Sequence, residues 1–355
     1  MPGAGGPGAV APGREPVVHG ASYVRAISMI NVLLLGASGP IGSHLVEALG
    51  RDDQGIKVTL ADNNLERRAQ WRAQGLDVCH VDPNDPASLR DTLRGINRLF
   101  FAMPPSVDML AQGKALVDAA FRAGVSHMVS LGVFDIRQSP VPHFAWHRLI
   151  ETYVESSGIP WTHLHPNMVM DTALAPAATI MSRRSIELCW GDAPAGWTAA
   201  SDVAAAAAAI LREGPRKHHK AHYWFSSEVA DGHEIAAIFS EVLDVDIHYR
   251  PRSAMDLVRS ASDGDLARDG AYLGSLIKQM NQMADGRLAY AAITRDDVAT
   301  VLGRPGLSLR QWVLQHRSPP RAGVASGKAL TAAFLPASQI PVAKDARNTL
   351  TSDRL

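Results

Sequence analysis

Residues 30–42 read INVLLLGASGPIG, from Ile30 to Gly42. The unbroken apolar run Ile30–Leu35 is what a strand buried on both faces requires, because successive side chains point to opposite sides of a sheet. Glycines follow at Gly36, Gly39 and Gly42, and a helix is expected over residues 41–49. A strand that turns into a helix through glycines presents backbone N–H groups at a helix N-terminus, where the dipole favours an anion such as a pyrophosphate. The glycines permit the tight turn, the close approach of the phosphates and close helix–strand packing. Gly36, Ser38, Gly39, Pro40, Ile41 and Gly42 are therefore the candidate phosphate contacts of a dinucleotide.

The same alternation continues outward. Strands are expected at 57–61, 76–80, Arg98–Ala102, His127–Leu131 and 161–165. Asp85-Pro86 supplies an N-cap and a first-turn proline, Gly124 stops an amphipathic stretch over 107–123, and Gly158 stops one over 142–157. Strands alternating with helices imply right-handed crossovers and a doubly wound parallel α/β sheet of the Rossmann type, over residues 29–165. Residues 166–317, with helical stretches at Gly232–Leu243 and 253–259 and a strand at 246–250, are expected to form a smaller C-terminal α/β substrate lobe interleaved with that sheet. An alanine-rich run at 204–209 reads as a helix packed closely on a neighbour, with Asp202 near its N-terminus. Residues 1–28, rich in Gly, Pro and Ala, read as a disordered leader, and 318–355 as a flexible tail, since neither has the periodicity needed to bury a face.

Composition narrows the function. Lys plus Arg number 35 and Asp plus Glu 35, so the chain lacks the basic excess that broad nucleic-acid contact uses. No run approaches the ~20 apolar residues of a membrane helix. Two cysteines, Cys79 and Cys189, make no disulfide framework and suit a reducing cytoplasm. No Gly-x-Ser-x-Gly elbow or Walker lysine is present, so serine hydrolase and P-loop readings lack support.

The GxxGxxG spacing resembles the extended or atypical short-chain dehydrogenase/reductases. Residues 81–89 (VDPNDPASL), Met103-Pro104-Pro105, 113–120 (GKALVDAA), 157–166 (SGIPWTHLHP), 201–204 (SDVA), 293–298 (ITRDDV) and 302–305 (LGRP) resemble the NmrA-like group of NAD(P)-binding proteins. That resemblance implies an NAD(P)(H) cofactor and a small-molecule substrate, with a homodimer as an open expectation. Asp62, ending the second strand, is placed to accept the ribose hydroxyls of NAD and to repel a 2′-phosphate. Many relatives carry an arginine where this chain has Asn63, while Arg67 and Arg68 follow one turn later; NAD(H) is slightly favoured. The resemblance further assigns Asp82 to the adenine, Met103 and Pro104 to the cofactor wall, and Pro166 and Asn167 to the nicotinamide end. Phe134, Met168 and Met170 are expected as apolar pocket walls.

Related enzymes commonly place a Tyr-x-x-x-Lys pair on one helix face, the tyrosine handling the proton that accompanies hydride transfer. Here the matching segment is His143-Phe-Ala-Trp-His147. His147 is the expected proton donor, as an imidazole titrating near neutrality, with His143 flanking it. Ser130 resembles the serine that polarises a substrate carbonyl. The i, i+4 histidines suit zinc in spacing but have no third ligand, so no metal is expected. His218-His219-Lys220-Ala-His222 reads as a solvated loop. The leading reading is an NAD(P)H-dependent reductase of a conjugated, carbonyl, quinone-like or imine-like compound. A non-catalytic NAD(P) redox sensor is the alternative, and a sugar-nucleotide epimerase the third.

Overall fold

In the computed structural model the opening segment is strand β1 (Ile30–Leu35), and its side chains divide as a doubly covered strand demands. Val32 and Leu34 enter one core, Leu33 and Leu35 the other. The structure describes residue 3 and residues 29–50, 55–135, 139–174, 177–256 and 270–317. The expected leader and tail lie outside the described residues, apart from residue 3.

Along the chain come α1 (Pro40–Leu49), β2 (Ile56–Asp62), α2 (Leu65–Ala73), β3 (Val78–His80), α3 (Pro86–Thr92), β4 (Arg98–Ala102), α4 (Met109–Ala123), β5 (His127–Leu131), α5 (Pro142–Ser156) and β6 (Trp161–Pro166). Next are β7 (Met168–Val169), α6 (Met170–Ala173), α7 (Ala177–Arg183), β8 (Ser185–Leu188), β9 (Ala195–Thr198), α8 (Ala200–Glu213), α9 (Pro215–His218) and β10 (Ala221–Ser226). The described chain closes with β11 (Glu228–Ala230), α10 (Gly232–Leu243), β12 (His248–Pro251), α11 (Gly270–Ala284), β13 (Arg295–Asp296), α12 (Asp297–Leu302) and α13 (Leu309–His316).

The main sheet has the order β13-β10-β6-β5-β4-β1-β2-β3. Seven strands are parallel and β13 pairs antiparallel with β10 at one edge. Strand order reverses between β1 and β4, which leaves a crevice at their carboxyl ends, where such sheets bind ligands. One face carries α1 and α8; Ala204, Ala206, Ala207 and Ala208 are buried there, and their small side chains let α8 lie close on α1. Asp202 of α8 is buried, accepting from Arg304 Nη2 (2.8 Å) and from the Leu307 amide, so it ties the segment between α12 and α13 to α8. The other face is covered by α3, α4 and α5.

Most of the remaining elements build a second lobe with a third core around Trp190, Trp197, Phe239 and Trp312, framed by the small sheets β11-β9-β7 and β12-β8. Two local expectations need correction. The 107–123 stretch becomes helical only at Met109, because Ser106 turns the chain by accepting from the Asp108 and Met109 amides. His218 is not in a solvated loop: it is buried in α9, 2.8 Å from the Tyr223 hydroxyl and 2.6 Å from Glu213, while His222 lies within β10. The predicted 253–259 helix runs into residues outside the described set.

Candidate cofactor and substrate site

A cavity of about 1030 Å³ lies at the carboxyl ends of β1, β2, β4 and β5 and passes under the second lobe. Its first wall is the glycine turn, with Gly36, Ser38, Gly39, Pro40, Ile41 and Gly42 all lining it. The three glycines have different reasons to be glycine. Gly36 has φ +96°, a conformation that penalises side chains. A Cβ on Gly42 would lie 2.1 Å from the Gly36 carbonyl, so Gly42 is demanded by the turn itself. Gly39 has an ordinary φ of −74°, and a Cβ there would meet protein no nearer than 3.6 Å. Its bareness serves the cavity. No side chain caps α1, so its first-turn N–H groups remain for an anion. A dinucleotide pyrophosphate fits this cradle.

At the end of β2, Asp62 is buried, with Oδ1 accepting from the Asn64 amide at 2.7 Å and Oδ2 from Arg67 Nη1 at 2.7 Å. Arg67 Nη1 also lies 3.2 Å from Ser38 Oγ, bridging the acidic strand end and the glycine turn. Asp62, Asn63 and Arg67 line the cavity. Arg68 does not, and its Nε turns back to the Asn64 carbonyl. Asp82 follows β3 as expected but does not line the cavity either. Its Oδ1 accepts from the Asn84 amide in the turn before α3, and Val81 and Pro83 form the wall instead. Met103 and Pro104 continue that wall.

The far end is lined by Gly132, Val133, Phe134, His143, Phe144 and His147, by Pro166, Asn167 and Met168, and by α11 through Tyr272, Leu276, Gln279, Met280 and Met283. Asn167 is held fast: Nδ2 donates to the Ala291 carbonyl (2.7 Å), and Oδ1 accepts from the Met168 amide. Met170 is a correction. It is fully buried in the core of the second lobe and does not reach the cavity. Ser130 is another, since its hydroxyl lies 2.5 Å from His163 Nδ1 inside the sheet and the cavity wall begins after it at Leu131. The period-two alternation of β5 turns Ser130 away.

His143 and His147 sit one turn apart on α5. His143 is buried, with its amide and Nδ1 on Ser275 Oγ at 2.9 and 2.7 Å, and burial holds its pKa down to about 3. It fastens α5 to α11. His147 is half-buried, and desolvation lowers its pKa to about 4. The expectation of an imidazole titrating near neutrality is thereby corrected: at pH 7 His147 is a neutral N–H donor without a second proton. Sequence reading missed α11 altogether. Its signal was present in Tyr272, Leu276, Gln279, Met280 and Met283, which recur at helical spacing and share one face. Among the described residues no three His, Cys, Asp or Glu side chains converge as a metal site, and no helix is long and apolar enough to cross a membrane.

The parallel sheet with its switch point, and a glycine cradle opening onto one long cavity, define a dinucleotide-binding protein of the Rossmann class. The NmrA-like family model matches residues 29–260, and the chain belongs to that family. Over 287 residues it is 27% identical to an NAD(P)H azoreductase of Xenophilus azovorans, covering 80% of this chain and 97% of the relative. Its fold is similar to the triphenylmethane reductase of Citrobacter sp. complexed with NADP(H), with TM-score 0.67 and 23% identity over 81% of this chain and all of that one. It is also similar to NmrA, a negative transcriptional regulator, in complex with NAD, with TM-score 0.63 and 17% identity over 81% and 95%.

Proposed function

We propose that this chain is an NAD(P)H-dependent reductase of a small, flat, largely apolar acceptor such as a quinone or an azo compound. The observation that carries the reading is the continuity of the cavity. The same lumen that begins at the Gly39 cradle ends in a chamber of Phe134, Phe144, Met168, Tyr272, Leu276 and Met280 around His147. A bound NAD(P)H supplies one hydride per turnover. The chain's own residues bind the pyrophosphate at α1, hold the adenosine ribose at Asp62 and Arg67, exclude water with the α11 wall, and aim the His147 N–H at the acceptor atom. The azoreductase relative is consistent with this acceptor chemistry. A redox sensor would bind nucleotide without needing the apolar chamber, which favours the enzyme. Purified full-length chain with NADPH or NADH should reduce menadione or methyl red; binding of either nucleotide without turnover of any quinone or azo dye would leave the sensor reading in its place.

Two further outcomes follow from the residues. His147→Ala should lower kcat about 10²-fold, as loss of a positioned proton-handling group does, while nucleotide affinity stays unchanged. His143→Ala should instead lower the melting temperature, because it leaves Ser275 buried without its imidazole partner. A His147→Ala enzyme of full activity would remove His147 from the chemistry.

Cofactor choice rests on the Asp62–Arg67 pair. Asp62 disfavours a 2′-phosphate, but Arg67 already neutralises it and bridges to Ser38. We propose that both nucleotides bind, with NADH at least as tight as NADPH. Asp62→Ala should release the guanidinium for the 2′-phosphate and shift the NADPH:NADH affinity ratio at least about tenfold toward NADPH, or roughly 1.4 kcal/mol. Arg67→Ala should move it the other way. Calorimetric titration with both nucleotides decides, and a ratio unmoved by either substitution would defeat the assignment.

A further inference from the structure

Behind the His147 end of the cavity lies a row of ionisable side chains that the reading above does not use. Glu151 follows His147 by one helical turn on α5, which sets both on the same face. It is a buried carboxyl, yet it sits directly behind the cavity wall: a Cβ on Gly132, which lines the cavity, would lie 2.3 Å from Glu151 Oε1. Gly132 is bare because the carboxyl occupies the place of its side chain. Glu151 Oε1 is 3.5 Å from His165 Nδ1 on β6, and His165 Nε2 is 3.1 Å from His222 Nδ1 on β10. His222 is half-exposed, and its ring stacks on that of His165 at 5.3 Å. The Val133 carbonyl, 3.1 Å from His165 Nδ1, fixes that nitrogen as the donor, which leaves Nε2 to accept from His222.

We propose that Glu151, His165 and His222 form a proton path that joins His147 to solvent and supplies the proton of each reduction. The proposal rests on the reductase reading. In each turnover the acceptor gains hydride at one atom and then needs one proton at another, the quinone oxygen or the second azo nitrogen. An O–H or N–H bond forms on the product as the N–H bond of His147 breaks, and in the same step the other His147 ring nitrogen takes the Glu151 carboxyl proton, directly or through one water, so the imidazole stays neutral throughout. Glu151 is refilled from His165 Nδ1 as His165 Nε2 takes a proton from His222, which recovers one from solvent. No electron moves along the path.

The electrostatics suit this order. His147 and His165 are kept neutral by burial, so neither stores a proton. Glu151 is the opposite: desolvation raises its pKa to about 8, against the pull of Arg148 at 3.5 Å and with further upward pushes from Glu155 and Asp135. At neutral pH it is the protonated member of the row. His163, the other imidazole beside His165 and His222, is bonded to Ser130 with its Nε2 3.7 Å from Glu155, and stands off the path.

The full-length chain tests this without turnover. Infrared difference spectra should show a protonated carboxyl band at pH 7 that titrates near pH 8 and is missing in Glu151→Gln, an uncharged isostere of the protonated state. The band should shift within the mixing time in D2O, and at least about tenfold more slowly in His222→Phe, which keeps a ring for stacking. With menadione and NADPH, Glu151→Gln should lose the alkaline limb of the kcat profile. His222→Phe should lower kcat about tenfold with KM unchanged, restored by added imidazole. No carboxyl band at pH 7, or exchange unaffected in His222→Phe, overturns the path. Failure of the wild-type chain to reduce any acceptor overturns the reductase reading alone, and the infrared titration and exchange still decide whether the path exists.

Discussion

Gly39→Val is expected to raise the dissociation constants of NADH and NADPH by at least about a hundredfold, or about 2.7 kcal/mol, while the nucleotide-free chain melts within about 3 °C of the parent. The expectation comes from comparing the three glycines of one turn. Gly39 has a backbone open to any residue and free space around its Cβ position, so the folded chain alone tolerates a side chain there. A branched side chain would stand at the α1 N-terminus, in the volume the pyrophosphate needs to reach the N–H groups. Gly42→Ala should fail differently. Its Cβ would meet the Gly36 carbonyl at 2.1 Å and the Ala37 Cα at 2.7 Å, so the β1–α1 turn itself must open. Loss of folded protein is the expected result for that variant. Calorimetric titration and thermal melts of the two variants give the answer. Unchanged affinity in Gly39→Val, or equal destabilisation in both, would show that the cradle is only a tight turn.

The second large effect is acid lability. Burial holds the imidazoles of His127, His143 and His165 at pKa values of about 3 and that of His163 at about 2, against 6.5 when exposed. A base with a depressed folded pKa is protonated first in the unfolded chain. Each of these groups therefore withdraws stability as pH falls below 6.5 and keeps doing so until its folded pKa is reached. The ceiling is about 1.4 kcal/mol per group per pH unit. Glu151 works in the other direction, because its raised pKa gives stability that is regained as pH falls from about 8 toward 4.5. His44, raised by Asp171, already contributes fully below 6.5 and adds no slope there. For these four imidazoles less Glu151 the net is a loss of at most roughly 4 kcal/mol per pH unit, which for a chain of this size lowers the melting temperature by up to about 10 °C per unit; the half-buried His147, also lowered, acts in the same direction. Melts between pH 6.5 and 4.5 should show that slope, with unfolding complete before the ordinary carboxylates titrate. His127→Gln, which keeps a nitrogen donor for Thr162, should soften it. A melting temperature flat over that window would contradict the burial of these imidazoles as neutral species.

The sequence by itself determined whatever depends on short-range pattern. The doubly covered run Ile30–Leu35, the glycine spacing at 36, 39 and 42, the Asp85-Pro86 helix start and the stops at Gly124 and Gly158 each act within one or two turns of chain, so their consequences could be read in order. The cradle residues and the Asp62 position followed from the same local logic. What the sequence could not supply was the direction of side chains that share an element. Ser130 and Leu131 are neighbours, yet the pleat sends one into the sheet against His163 and leaves the other on the cavity wall. Asp82 and Met170 stood at expected positions, but a turn hydrogen bond claimed the first and a core the second. The protonation states were equally out of reach. His147 read as an ordinary imidazole, and no local pattern set Glu151 apart from other carboxyls. Only in the folded chain, where His147 lies in the cavity wall and Glu151 is pressed against Gly132 and His165, 19 and 14 residues away, does desolvation lower one and raise the other.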